Sequence, residues 1–175
     1  DIRPSDALQV FTLADDYSFG ILQSSIHWVW FTARCSTLTE RFRYTSESVF
    51  DTFPYPQNPT ISQVRSVADA AINLREIRRQ VMKKNNWSLR ELYQTIDLPG
   101  DTILHNAQAN LNIAVRSAYG MELDEDPLRF LFELNLEVAN KEAAGENVLP
   151  PGLPDFVTNY SDFITDDCVR MPENK

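Results

Sequence analysis

Two prolines one residue apart, in Phe53-Pro54-Tyr55-Pro56, constrain this chain more than any other four residues. Each proline locks its own φ, lacks an N–H donor and biases the residue before it away from the helical region. The tetrapeptide must therefore run extended, outside any helix. It separates an aromatic, arginine-bearing block from a series of helix-periodic segments that follow.

In the block before it, Asp15, Asp16 and Ser18 supply N-cap oxygens and negative charge for a helix start. Leu22, Ile26, Val29, Trp30 and Ala33 recur at helical spacing, and Trp28 and Phe31 widen the stripe. That pattern predicts a helix buried on more than one side. Gly20 costs the helix about 1 kcal/mol relative to Ala, so its presence predicts close packing there. Arg41-Phe42-Arg43-Tyr44-Thr45 then alternates with the period of a strand. Arg41, Arg43 and Thr45 share one face, and Phe42 and Tyr44 the other, against the preceding helix. Ser46-Glu47-Ser48 reads as a turn and Val49 to Phe53 as a return strand, which together predict a short hairpin. Ala7 to Leu13 reads as one more strand without a local partner, so the chain reads as a fragment of something larger.

After the tetrapeptide, Thr60 caps a long helix whose buried stripe is Val64, Val67, Ala71, Leu74, Ile77 and Val81, with an expected Arg65–Asp69 ion pair. Ser88 and Glu91 form a capping box for a short helix to about Ile96, and Leu98 to Asp101 reads as a turn. A further helix runs from Thr102 or Ile103 to Tyr119, closed by Gly120. Asp126-Pro127 opens another, to about Ala144, ended by Gly145. From Val148 the proline-rich tail reads as an extended arm. The expected fold is mainly α: a helical bundle-like module with a small antiparallel β-hairpin and an extended C-terminal arm.

Charge narrows the functional classes. The 175 residues carry 25 acidic against 16 basic side chains, a net charge of −9, and such a field repels phosphate when taken whole. The basic residues concentrate between Arg34 and Arg90, and acidic ones gather at 121–127 and around Asp162, Asp166 and Asp167. This distribution fits either a basic face on an acidic body or ordinary solvated surface. Cys35 and Cys168 form neither a CxxC nor a disulfide framework, and a reducing cytoplasm is the default. No apolar run is long enough to span a membrane, so no membrane partner is expected. His27 and His105 stand alone, and no HExxH, nucleophile elbow or P-loop is present. With 5 glycines there is no loop to cradle a phosphate or an S-adenosylmethionine tail.

The phrases FGILQSSIHWVWFTARCSTL and RFRYTSESVFDTFPYP, with LREIRRQVMKKNNWSLRELY, AVRSAYGM and DPLRFLFELNLEVANKEAAGENVLPPGLP after them, cover nearly the whole chain. In this order they resemble the C-terminal part of the MmeI-like restriction–modification enzymes and related class I DNA adenine methyltransferases. The resemblance implies the end of a target recognition domain at 1–59, a C-terminal helical domain at 60–147 and an extended tail at 148–175. It also implies an upstream methyltransferase domain that binds S-adenosylmethionine and carries an Asn-Pro-Pro-aromatic motif, and in some members a nuclease. Phe53-Pro54-Tyr55-Pro56 is not that motif, so no catalytic, cofactor-binding or metal residue carries over. What is implied is a non-catalytic recognition and scaffold fragment that meets double-stranded DNA through the full-length enzyme. Arg41, Arg43, Thr45 and Arg34 are the candidate DNA contacts, to phosphates or to a guanine edge. A solvated face, or pairing with Glu40 and Glu47, is the competing reading of the two strand arginines. A helical bracing or protein-interaction module without DNA contact is the second functional reading, and a free-standing enzyme the third.

Overall fold

The structure is a computed structural model that describes residues 9–38, 41–96 and 102–168. It is mainly helical. Helix α1 (Asp16–Gln23) starts on Asp15, whose carboxylate accepts the Ser18 N–H at 2.6 Å and the Ser18 hydroxyl at 2.8 Å. Helix α2 (Ser25–Arg34) follows at once, so the single helix expected here is two. Ser24 leaves helical geometry at φ −76° and ψ 160°. Its N–H and hydroxyl both donate to the Ile21 carbonyl, and its hydroxyl oxygen caps α2 by accepting the His27 N–H. The break resets the helical phase. Tyr17 and Ile21 are buried before it and Ile26 and Trp30 after it, while Trp28, expected to widen the buried stripe, is 57% exposed.

Strands β1 (Ser36–Leu38) and β2 (Arg41–Arg43) pair antiparallel, with Ser36 opposite Arg43 and Thr37 opposite Phe42. The hairpin expected between Arg41 and Phe53 does not form. Ser46–Phe50 is a turn of π-helix instead, closed by the Asp51 N–H on the Ser46 carbonyl at 2.9 Å. The Val49 carbonyl accepts the indole N–H of the fully buried Trp30 at 3.1 Å. A buried indole must find an acceptor, and the π-turn places this carbonyl against it. Residues 9–13 take no strand conformation, and the remainder of the strand expected at Ala7 to Leu13 lies outside the described residues.

Helix α3 (Ile61–Asn85) opens with a capping box between Thr60 and Gln63 and ends at Asn86, which takes the left-handed conformation at φ 53°. Helix α4 (Leu89–Ile96) is capped reciprocally by Ser88 and Glu91. The turn expected at Leu98 to Asp101 lies outside the described residues. Helix α5 (Ile103–Tyr119) is capped by Thr102 and closed by Gly120 at φ 69°, and α6 (Pro127–Ala143) is capped by Asp126. The local signals of the sequence placed all four helices.

Helix α3 is the centre of the packing. It lies against α5 on one side and α1 on the other, burying Val64, Val67, Ala71 and Leu74 with Ile21, Leu111 and Val115. Gly20 permits the α1 crossing: a Cβ there would sit 2.7 Å from Val67 Cγ1 and 3.2 Å from the Val67 carbonyl oxygen. Residues 53–56 take no regular secondary structure and are buried, with Phe53 and Tyr55 in the core. The Pro54 carbonyl, freed from any ladder, accepts the Tyr119 hydroxyl at 2.9 Å. Beyond α6 the chain returns as an arm. Gln57 bonds both backbone groups of Leu149, Val157 and Phe163 are buried, and a 3-10 turn spans Tyr160–Phe163.

Candidate nucleic-acid interface

The residues proposed to meet DNA lie on α2, on β2 and just after it. Among the described side chains, Phe42 and Tyr44 lie against α2, as the sequence predicted. Tyr44 stacks on Phe31 at 5.3 Å, and Phe42 meets Phe31 and Trp28 edge-on at 5.8 and 6.4 Å. Arg43 occupies the alternate register position and is exposed. Arg41 sits in β2 opposite Leu38; its side chain lies outside the described residues. Thr45 is half-buried, and its hydroxyl shares a hydrogen bond with Ser48 at 2.5 Å, so it braces the π-turn. Arg34 closes α2, with its guanidinium 5.5 Å from the centre of the Trp30 ring. The structure therefore groups the aromatic residues of this region firmly, and gives Arg34 and Arg43 separate settings on α2 and β2.

His27 lies under this region. It is 6% exposed, its Nε2 shares a hydrogen bond with the Tyr44 hydroxyl at 3.1 Å, and Phe53 packs edge-on against it at 4.6 Å. Burial lowers its pKa to about 4, because the imidazolium would lose its hydration, and it is neutral at physiological pH. It is a packing residue, as its isolation in the sequence suggested. Burial likewise raises the Tyr44 hydroxyl to about 12. Among the described residues no cluster of histidine, cysteine and carboxylate side chains is arranged to hold a metal.

The basic stretch of α3 has a different fate from a free cationic face. Arg65, expected to pair with Asp69, instead donates to Asp162 of the arm at 3.1 Å and lies over the Phe163 ring at 4.9 Å. Arg75 pairs with Asp16, which is completely buried, and lies 3.5 Å from Asp167. Thr165 donates to the same Asp16 oxygen at 3.2 Å. Arg79 donates to both oxygens of Asp167 at 2.7 and 2.8 Å. Acidic residues of the tail and of α1 thus pair with Arg65, Arg75 and Arg79, while Arg78 donates to Gln23. Composition displayed both partners, but their pairing spans up to 97 residues between Arg65 and Asp162 and has no local signature. Sequence reasoning also missed the aromatic surface at Phe11, Trp28 and Phe42. Its signal was the position of Trp28, 200° around an ideal helix from Trp30.

Comparison with known proteins gives this arrangement a context. Residues 1–57 match the family model of the MmeI target recognition domain. DNA methyltransferase A of Bacillus subtilis (strain 168) is 28% identical over 140 residues, which is 78% of this chain and 15% of that protein. The structure of the Type IIL restriction-modification enzyme MmeI in complex with DNA aligns at 29% identity with a TM-score of 0.63, over 73% of this chain and 17% of that one. The chain thus spans less than a fifth of the length of either relative. No helix among the described residues is long and apolar enough to cross a membrane. By sequence and by fold the chain resembles the MmeI-like restriction–modification enzymes, and its residues 1–57 match the target recognition domain of that family.

Proposed function

We propose that this chain is a non-catalytic DNA-recognition and scaffold segment of a DNA adenine-N6 methyltransferase or restriction–modification enzyme. Recognition belongs to residues 1–59 and bracing to the helices of 60–147, and the tail of 148–175 clasps the two through its described residues, to 168. The observation that carries the reading is the exposure of Arg43 on β2, inside the segment that matches a target recognition domain. A guanidinium held on a short strand, with its neighbours Phe42 and Tyr44 fixed on α2, is a rigid donor for a phosphate or a guanine edge. Arg41, by strand alternation, and Arg34 supply further positive charge. The helical part fits a brace better than a DNA surface, because Arg65, Arg75 and Arg79 are already bonded to carboxylates.

S-adenosylmethionine is the cofactor that the resemblance implies for the whole enzyme. The residues described here do not fit it. A cleft of about 560 Å³ is walled by Pro59, Ile61, Phe156 and Phe163, and its single carboxylate, Asp162, is bonded to Arg65 and Asn159. The cofactor belongs on this reading to the upstream methyltransferase domain, with double-stranded DNA as the partner of the whole.

The test is an Arg43→Ala change in the full-length enzyme, with filter binding across a salt series on cognate and scrambled DNA. Loss of a phosphate contact lowers affinity for all sequences alike and reduces the salt slope by roughly 1. Loss of a guanine contact costs about 1–3 kcal/mol on the cognate site alone. No change in either measurement makes Arg43 ordinary surface and leaves a bracing module without DNA contact. The isolated chain binds DNA weakly in any case, since its net charge of −9 opposes phosphate.

A further inference from the structure

The aromatic side chains of α2 and β2 continue into one surface. Phe11 packs on Tyr44 at 5.8 Å, Tyr44 on Phe31, Phe31 on Phe42 and on Trp28, each ring in contact with the next. Trp28 and Phe42 are more than half exposed, and Phe11 and Val10 are exposed beside them. Large aromatics carry the greatest apolar area of any side chains, and a contiguous exposed patch of them marks a surface built to be covered.

We infer that the surface formed by Phe11, Trp28, Phe31, Phe42 and Tyr44 is an intramolecular seam that seats another part of the same enzyme's recognition domain, and is not a DNA-contacting face. The inference rests on the reading of this chain as part of a longer enzyme. Three observations select the occupant. The cleft within the surface, about 260 Å³ and walled by Phe11, Leu22, His27, Trp28, Phe31 and Tyr44, carries no charged side chain. A face that meets DNA needs cations to replace the counterions of the phosphates, whereas an apolar polypeptide face needs none. The patch also lies wholly within residues 1–57, the segment that matches a recognition domain, and both relatives carry several times more chain than these residues span. Finally, the one exposed arginine described on β2, Arg43, alternates with Phe42. The two faces of a single strand then divide the work, one toward DNA and one toward the rest of the domain.

Hydroxyl-radical footprinting read residue by residue in a mass spectrometer tests this on the full-length enzyme, first without DNA and then with cognate duplex. Trp30, fully buried, and Tyr160, half exposed, serve as internal references after correction for intrinsic reactivity. The expected result is that Trp28 and Phe42 are oxidised as slowly as Trp30 and several-fold more slowly than Tyr160 before any DNA is added. Oxidation at the exposed rate without DNA overturns the inference. If protection then appears only with duplex, the surface is a DNA contact. If it appears only as protein concentration rises, the occupant is a second copy. Because the decisive measurement is made without DNA, a failure of the seam is distinguishable from a failure of DNA recognition, which binding to the same duplex reads separately.

Discussion

Burial strips water from the His27 imidazole and holds its pKa at about 4, against an ordinary value of 6.5. The sign of the consequence follows from proton counting. Between these values the unfolded chain binds a proton that the folded chain refuses, so stability is full above pH 6.5 and falls as the pH drops toward 4. The slope expected from this one group is on the order of 1.4 kcal/mol per pH unit in that window. Asp15 works in the opposite sense above its ordinary value of 3.8, since burial raises its carboxyl and eases its protonation in the folded state. Urea denaturation of the wild type and of His27→Gln, which keeps a polar partner for the Tyr44 hydroxyl, isolates the effect. The variant is expected to lose most of the slope between pH 6.5 and 4. An unchanged slope would assign the acid sensitivity to other groups.

The break between α1 and α2 shows which local structures a sequence discloses. Caps at Thr60, Ser88, Thr102 and Asp126 were legible because each signal lies within four residues of what it satisfies. Ser24 is also a cap, but it sits inside a run whose periodicity argued for a continuous helix. What makes the break tolerable is remote. Gln108 donates to the Gln23 carbonyl at 3.3 Å, and Asn112 accepts the Ser25 N–H at 2.9 Å, both from α5. No pattern between residues 15 and 33 contains those amides. The same reasoning explains the missed hairpin, since the Val49 carbonyl is claimed by Trp30, 19 residues away. A Ser24→Ala change is expected to cost about 1 kcal/mol, the usual worth of an N-cap. Paired with Asn112→Ala in a double-mutant cycle, it should show a coupling of roughly 0.5 kcal/mol or more, because both residues serve one turn. Strict additivity in urea denaturation would mean that the two act independently.

Across the molecule, the run of helices after the Phe53–Pro56 tetrapeptide was readable from punctuation, but the electrostatics were not. The arginines of α3 meet partners in the tail and on α1, far from them along the chain. Their energetic weights differ with burial. Arg75→Met leaves the completely buried Asp16 without its cation, and should cost about 3–5 kcal/mol, the penalty for an unpaired buried charge. Arg79 is exposed where it meets Asp167, and Arg79→Ala should leave the thermal midpoint nearly unchanged. Thermal denaturation of both variants checks the contrast, and equal losses would refute it.

The hydrogen bond from Thr165 to Asp16 joins residues 149 positions apart, nearly the ends of the described chain. On the ribosome, where roughly 5–20 residues are added each second, Asp16 waits on the order of ten seconds for this partner. Until then α1 carries an acid that its burial site cannot fully satisfy, and the groove that Phe163 fills stands open. Among the described residues, the arm is therefore the last to lock. A nascent chain that stops short of Phe163 leaves this apolar groove uncovered, open to chaperones and proteases.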